Sequence, residues 1–360
     1  MNYKETLFFI AKSLTISLEE KNRDDIKIVL KSGHVNWESF VKVSTNHYVM
    51  PAVYCNFKRA DFLKYLPSDL IHYMQYITNL NRNRNMQILH QLEELNSILL
   101  SNKITPIFIK GSGNLLTGIY EDIGERMVGD IDFIFSKNDY PKAIKVLRNF
   151  GYTEVEKLKY YKPSGKHYRR LKKENSIAAI EIHKELLPEM YENEFNYQFV
   201  VKDCQDIKGF TLLSYANKLN LSIIANQIND NGFYYKTIAL RNAYDVFLLS
   251  KKTKAKDAVN KLKNLNNPLN CFLAACYEVF NKIESLEYNN TKMVAVYLRE
   301  FNFQLTNKKI TKIRYKFIYI YLLLKSKFMV IYKCIKYKDY RVWLFKKVTE
   351  KIWDLKNILI

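Results

Sequence analysis

The sequence predicts an α+β protein in which a small mixed β-sheet core is flanked by N-terminal and C-terminal α-helical regions. Apolar residues recur at helical spacing before about residue 104 and again from about residue 211, whereas short strand-like apolar runs lie between them. The 360 residues suffice for more than one packed unit, because single cores usually stop growing at roughly 250–300 residues. We therefore expect a helical region over residues 1–104, a mixed core over 105–208 and a second helical region over 209–360.

The first region contains a long predicted helix. Trp37, Phe40 and Val41 share one face of an earlier helix, and Pro51 interrupts the helical pattern. The long helix is predicted to begin at Ser68 as its N-cap and to end near residue 101. Its inner side carries Ile71, Met74, Ile77, Ile88, Leu92, Leu95 and Leu99.

In the middle region the pattern changes to strands. Residues 107–109 form a short apolar run that stops at Lys110-Gly111-Ser112-Gly113, which is typical of a strand followed by a turn. Residues 130–135 and 180–183 alternate in strand fashion, and a helix is predicted over 140–150. Helices are expected again over 214–229, 236–252 and 269–283.

Asp130 and Asp132 are the central candidate residues. Alternation along a strand projects both carboxylates to one face and Ile131 to the other. Adjacent carboxylates repel each other unless a cation lies between them, and Mg²⁺ prefers such oxygen ligands. A pair of Mg²⁺ ions would clamp the attacking and leaving oxygens of an in-line displacement. A solvated strand edge is the alternative for an isolated Asp-x-Asp.

Other candidates surround this pair in the sequence. Gly111 and Ser112 follow a strand, so backbone N–H groups and the Ser112 hydroxyl are candidates to grip phosphate oxygens, with Lys110 adding a positive charge. Glu181 is a third carboxylate, either a general base or a metal ligand. On the same strand face, His183 either orients an acceptor or phosphate, or is simply hydrogen-bonded.

Three further basic features of the sequence each allow two interpretations. Arg126 either contacts a triphosphate or pairs with a carboxylate, and the spacing of Arg241 and Asp245 is typical of an ion pair within one helix. A role for that pair near the nucleotide is the alternative. The cluster of residues 166–170 either forms a solvated hairpin or meets an anionic acceptor.

These motifs resemble the DNA-polymerase-β-like nucleotidyltransferase superfamily, and most closely a bacterial subgroup of uncharacterised nucleotidyltransferase family proteins. The matching elements are Lys110-Gly111-Ser112-Gly113, Arg126, Asp130-Ile131-Asp132 and Glu181-Ile182-His183. The resemblance covers roughly residues 30–250. In the helical lead-in it includes residues 81–85, whose Asn and Arg side chains are interpreted as a solvated turn of the long helix. Glu181 stands where Asp is commoner, which leaves its role as general base open.

The resemblance implies Mg²⁺-dependent transfer of a nucleoside monophosphate from a nucleoside triphosphate to a hydroxyl group. It names no acceptor, because superfamily members modify RNA, proteins, antibiotics and metabolites. RNA is one candidate acceptor. A non-catalytic protein that keeps the fold and binds nucleotide, RNA or a membrane surface is the alternative.

Charge and cysteine content bear on partners and location. The net charge of +21 favours polyanionic partners, and residues 301–360 alone hold fifteen basic and three acidic residues. The apolar run 317–324 is too short to span a bilayer, so it is either a core helix, which we favour, or a basic amphipathic helix that meets RNA or an anionic membrane. The beginning of the chain lacks the pattern of a secretory signal, so we expect a cytoplasmic protein. Five cysteines without a Cys-x-x-Cys pair indicate packed thiols, among them Cys271 and Cys276.

Overall fold

The protein is an α+β protein, as predicted. The structure, a computed structural model, describes residues 1–155, 163 and 165–358, with side chains described as far as residue 349. The N-terminal helices are α1 (Tyr3–Ser13), α2 (Glu20–Lys31), α3 (Trp37–Asn46), α4 (Met50–Arg59) and α5 (Ser68–Ser101).

The structure corrects two predictions about where N-terminal helices begin. Pro51 lies in the first turn of α4, where its missing N–H costs nothing, so this proline helps to begin a helix. Ser68 is the first helical residue of α5 and not its N-cap, because the cap position belongs to Pro67 and no side chain caps the helix.

The strands are β1 (Ile107–Ile109), β2 (Ile131–Ile134), β3 (Thr153–Glu154), β4 (Leu171–Lys172), β5 (Ile180–His183), β6 (Gln205–Ile207) and β7 (Phe210–Leu212). Within the described residues these strands form one mixed sheet in the order β3-β4-β5-β2-β1-β7-β6. The central strands β1, β2 and β5 match the predicted ones. The other four are two or three residues long, too short to show alternation in the sequence.

The helices around the sheet are α6 (Lys110–Leu116), α7 (Tyr140–Asn149), α8 (Tyr197–Val200), α9 (Tyr215–Ile224), α10 (Gly232–Tyr235), α11 (Leu240–Ser250), α12 (Ala255–Asn260), α13 (Asn266–Val279), α14 (Lys292–Thr306), α15 (Lys308–Lys336) and α16 (Lys338–Ile358). A π-helical turn over Ala225–Asn229 follows α9. The helix predicted from residue 236 begins at Leu240 instead, because Lys236 has a φ of 54° and cannot continue a right-handed helix.

One cluster of buried apolar side chains runs from α1 through the sheet to α14. Cys271 and Cys276 lie fully buried in it, as predicted for packed thiols. The preference for a core helix over residues 317–324 was wrong, because α15 leaves most of its large apolar side chains exposed. Among the helices of the described residues, none has the length and apolar composition needed to cross a membrane.

Candidate active site

The pairing of β2 with β5 brings three candidate residues together. These strands run parallel, and their register sets Asp132 opposite Glu181 and Ile134 opposite His183. The ligand atoms of Asp132, Glu181 and His183 all lie within 4.8 Å of one another. Because the sheet buries Asp132 and His183, this cluster does not lie on a solvated strand edge. The carboxylates of Asp132 and Glu181 line a cleft.

His183 orients the Asp132 carboxylate. Its Nε2 lies 2.9 Å from Oδ1 of Asp132 and 3.6 Å from Oε2 of Glu181, and its Nδ1 lies 3.4 Å from the carbonyl oxygen of Glu185. The imidazole is thus held between a backbone carbonyl and a carboxylate. Such a partner commonly sets the orientation of a metal-ligating carboxylate.

Lys110 places a positive charge against the two carboxylates. Its Nζ lies 2.5 Å from Oδ1 of Asp132, 3.6 Å from Oε2 of Glu181 and 3.2 Å from Nε2 of His183. The residue has a φ of 54°, a left-handed conformation that costs a non-glycine residue roughly 1–2 kcal/mol. Strained backbone of this kind is concentrated at functional sites.

The charges of the cluster are strongly coupled. Burial raises the pKa of the Asp132 carboxyl, but the Lys110 ammonium and the hydrogen bond to His183 outweigh burial and hold that pKa well below its usual range. The pKa of Glu181 is also lowered, because the His183 hydrogen bond and Lys110 outweigh burial and the Asp132 charge. Burial lowers the pKa of Lys110, but the charges of Asp132 and then Glu181 outweigh burial, so the pKa of Lys110 is raised above its ordinary value. Both carboxylates are therefore ionised at neutral pH and Lys110 is charged.

Asp130 lies beside this cluster but outside it. Among the described residues, the metal-ligand cluster does not include the Asp130 carboxylate, which forms an ion pair with Arg170. The Arg170 Nε also lies 3.8 Å from Oε1 of Glu181, so one guanidinium links the two carboxylates. Residues 166–170 therefore do not form a simple solvated hairpin, because Arg170 reaches the candidate site.

Gly111 and Ser112 have different positions. Gly111 lines the cleft, and a Cβ there would lie 3.3 Å from Cγ2 of Val128 and 3.6 Å from Nη2 of Arg126. Ser112 is fully buried: its hydroxyl donates to the carbonyl oxygen of Ile109 at 3.0 Å and accepts from the Asp132 backbone N–H at 3.3 Å. This buried and hydrogen-bonded hydroxyl is not placed to bind phosphate, contrary to the prediction. Ser112 instead connects α6 to β2 beside Asp132.

Arg126 pairs with a carboxylate, one of its two predicted alternatives. Its Nε lies 2.9 Å and 3.0 Å from the two carboxylate oxygens of Asp245, and its Nη2 lies 2.9 Å from Oδ2. The Tyr120 hydroxyl donates to the same carboxylate at 2.7 Å. The predicted intrahelical pair of Arg241 with Asp245 was wrong, because α11 turns Asp245 inward to a buried guanidinium.

The polar run on α5 supports the site loop, and its interpretation as a solvated turn was wrong. Asn81 and Asn85 are buried and donate to the backbone carbonyl oxygens of Ile123, Gly124 and Arg126. Arg84 donates to the carbonyl oxygens of Val128 and Gly129, directly before β2. The spacing of the two asparagines, which sets both on one helical face, was the signal that could have revealed this role.

A cleft of about 240 Å³ joins these residues. It is lined by Lys110, Gly111, Arg126, Met127, Val128, Gly129, Asp130, Asp132, Glu181, Leu221, Ser222, Ala225, Arg241, Asn242 and Asp245. The Arg241 guanidinium lies 5.0 Å from the ring centre of Tyr48, and its buried Nε has no hydrogen-bond partner within the described part of the chain. Burial, and then the nearby Arg126, lower the pKa of Arg241. The cleft thus combines two carboxylates at its floor with a second arginine that lacks a full set of partners.

A family model described as an uncharacterised nucleotidyltransferase matches residues 33–280. The chain belongs to this nucleotidyltransferase family. The matched segment contains all of the cleft residues described above, so the site lies wholly within the part of the chain that defines the family. Membership supports a general role in nucleotidyl transfer and confirms the predicted resemblance.

Two further comparisons add little. The solved structure of JHP933 from Helicobacter pylori aligns at 16% identity over 68% of this chain and 98% of that chain, with a TM-score of 0.31. Similarity of this size supports no conclusion about the site. The comparison with curated proteins gives no match.

Proposed function

We propose that this nucleotidyltransferase family protein is a metal-dependent enzyme that moves a nucleoside monophosphate from a nucleoside triphosphate to a hydroxyl group of an acceptor. The observation that carries the proposal is the β2–β5 register, which gathers Asp132, Glu181 and His183. Asp132 and Glu181 line a cleft, and His183 is buried beside them. Lys110 and Arg241 line the same cleft and supply positive charge for phosphate oxygens.

The donor set fits a divalent metal ion. The two carboxylates of Asp132 and Glu181 already lie around one cation, the Lys110 ammonium. Carboxylate oxygens suit Mg²⁺, whereas an imidazole nitrogen suits transition metals better. We assign Asp132 and Glu181 as ligands, and His183 as the residue that positions Asp132 through their 2.9 Å contact. A bound ion would neutralise triphosphate charge during phosphoryl transfer.

Asp130 is proposed as a further ligand, for a second ion. Its carboxylate is paired with Arg170, so it becomes available to a metal ion only when that guanidinium turns elsewhere. Phosphate oxygens of a bound nucleotide are a suitable alternative partner for Arg170, because guanidinium groups bind phosphate through two parallel hydrogen bonds. Nucleotide binding and the release of Asp130 would then occur together.

Glu181 is better suited to binding metal than to removing a proton. An efficient general base has a pKa near the working pH, whereas the pKa of Glu181 is lowered. Among the phosphate contacts, we keep Lys110 and Gly111 from the sequence prediction and add Arg241. Arg126 acts by holding the loop before β2 through Asp245, because Asp245 already occupies its guanidinium.

The test is transfer of label from each α-labelled nucleoside triphosphate, with Mg²⁺ or Mn²⁺, to total RNA and to cell lysate. RNA is the first acceptor to try, because a net charge of +21 favours polyanions. Asp132→Asn and Glu181→Gln should each reduce transfer by at least about a hundredfold, because a metal ion contributes several kcal/mol at about 1.4 kcal/mol per tenfold.

Asp24→Asn, at an exposed position on α2, is the matched control and should keep full activity. Equal labelling by wild type, Asp132→Asn and Glu181→Gln would disprove the assignment of these ligands. No label with any donor and either acceptor mixture would favour the alternative of a non-catalytic binding protein.

A further inference from the structure

Helix α15 carries a continuous apolar stripe that the fold leaves exposed. The apolar stripe consists of Ile310, Ile313, Phe317, Ile320, Tyr321, Leu324, Phe328, Ile331 and Ile335. Each of these side chains is between 49% and 77% exposed. Soluble proteins rarely expose so large a contiguous apolar surface unless it binds a membrane or another protein.

The apolar stripe is straight. Eighteen residues make about five full turns of an α-helix, so Ile310 and Phe328 have the same direction, as do Ile313 and Ile331. The nine residues fall within an arc of roughly 100° that contains no charged residue. A straight stripe over seven turns fits a flat surface, whereas a left-handed coiled coil needs a period nearer 3.5 residues.

Positive charge follows the edges of the apolar stripe. Lys309, Lys316 and Lys327 are exposed along one edge, and Arg314 and Lys325 on the other side contact Glu300 and Tyr234 of the protein body. α15 is thus attached to the body on one side, where the ring of Tyr321 at the edge of the stripe also contacts Tyr234. The rest of the stripe and the three lysines face away from these contacts.

We propose that α15 lies in the plane of an anionic phospholipid bilayer, with the apolar stripe in the headgroup region and the adjacent lysines against lipid phosphates. Such helices combine one apolar face with basic residues and do not cross the membrane. The positive charge beside the stripe favours an anionic membrane over a second copy of the protein. α15 contains no acidic residue, so a second copy of the helix would bring lysines against lysines.

RNA is a poorer fit to the same surface. Six of the nine stripe residues are isoleucine or leucine, which cannot stack on bases, whereas RNA-binding surfaces rely on aromatic stacking and phosphate contacts. Lipid acyl chains accept aliphatic and aromatic side chains alike. The proposal is independent of the chemistry in the cleft, which lies on other elements of the fold.

The test is co-sedimentation of the 360-residue protein with vesicles of phosphatidylcholine alone and with vesicles of phosphatidylcholine mixed with phosphatidylglycerol. Binding is expected to the mixed vesicles, to decrease with added salt, and to weaken at least about tenfold in Phe317→Ser/Phe328→Ser. The matched control is Leu323→Ser/Met329→Ser, which alters two exposed apolar residues of α15 outside the stripe and should bind normally. Far-UV circular dichroism checks that both variants keep their helix content.

Three results would overturn the proposal. They are the absence of binding to both vesicle types, equal binding to both types, and equal loss of binding in the stripe and control variants. Sedimentation velocity and binding to total RNA are measured with the same proteins. Self-association or RNA binding that depends on the stripe, without vesicle binding, would assign the surface to another copy or to RNA.

Discussion

The ammonium nitrogen of Lys110 lies 2.5 Å from Oδ1 of Asp132 on β2. The same nitrogen is 3.6 Å from Oε2 of Glu181. The Lys110 ammonium, together with the hydrogen bonds from His183, therefore keeps these two neighbouring carboxylates ionised. A divalent metal ion bound by the same oxygens would compete with this lysine for them.

Lys110→Met should lower stability without metal and increase the stabilising effect of metal. Loss of the ammonium leaves two carboxylates facing each other, and unfolding should become easier by about 1–3 kcal/mol. Thermal unfolding is measured with and without Mn²⁺ or Mg²⁺. The variant should gain more from the metal than wild type does, because no lysine competes for the oxygens. Lys166→Met, which removes a lysine bound to Asn229, is the control. An equal metal-induced gain in all three proteins would contradict competition at this site.

Asp245→Asn should destabilise the fold. The substitution removes the charge that faces buried Arg126, and breaking a buried ion pair from one side costs roughly 3–5 kcal/mol. Urea unfolding gives the change in the free energy of unfolding. Asp257→Asn on α12 serves as the control. A loss under about 1 kcal/mol would show that Arg126 finds other partners.

Arg241→Ala should weaken nucleotide binding and leave the fold intact. The guanidinium lines the cleft, and a charged hydrogen bond to phosphate contributes roughly 1.5–3 kcal/mol, or about 10-fold to 100-fold in the dissociation constant. Binding of a fluorescent nucleoside triphosphate is compared with that of Arg148→Ala, an arginine paired with Glu154. Unchanged affinity in Arg241→Ala would remove this residue from the proposed phosphate contacts.

Lys218→Met should stabilise the protein most at neutral and acidic pH. Lys218 is 2% exposed, its Nζ has no hydrogen-bond partner among the described residues, and burial lowers its pKa from 10.5 to about 7. Between pH 7 and 10.5 the unfolded chain binds one more proton than the folded one, so wild-type stability rises with pH across this range. Below pH 7 the folded protein bears the full cost of the buried charge.

The gain from Lys218→Met should be on the order of 2–4 kcal/mol at pH 6 and should disappear as pH approaches 10.5. Chemical unfolding over this pH range measures it, beside wild type and Lys202→Met as a control. A gain that does not change with pH would mean that packing, and not charge, limits stability at this position.

Much of the central sheet could be predicted from local pattern. β1 lies where a short apolar run stops at Lys110-Gly111, and β2 and β5 lie where residues alternate in strand fashion. Helix α5 occupies the predicted residues because its apolar residues keep helical spacing over many turns. The short strands β3, β4, β6 and β7 were missed. Strands of two or three residues exist only because a neighbouring strand pairs with them, and that pairing is not local in sequence.

The candidate site was also predicted in part from local pattern. Alternation along β5 set Glu181 and His183 on one face, and Asp130 and Asp132 shared a face for the same reason. Sequence alone determined these faces, because each depends on residues two positions apart, and the motifs between Lys110 and His183 were enough to indicate the family. For residues 317–324 it gave a basic amphipathic helix only as the alternative to a core helix.

Tertiary structure decided which faces meet. The parallel pairing of β2 and β5 placed Asp132 beside Glu181. Asp245 pairs with Arg126, which is 119 residues away in the sequence. Asn81 and Asn85 face the loop before β2. The tertiary structure also buried the Ser112 hydroxyl and left the apolar stripe of α15 exposed. These outcomes depend on how distant segments pack and which buried polar groups must find partners, and no local period in the sequence contains that information.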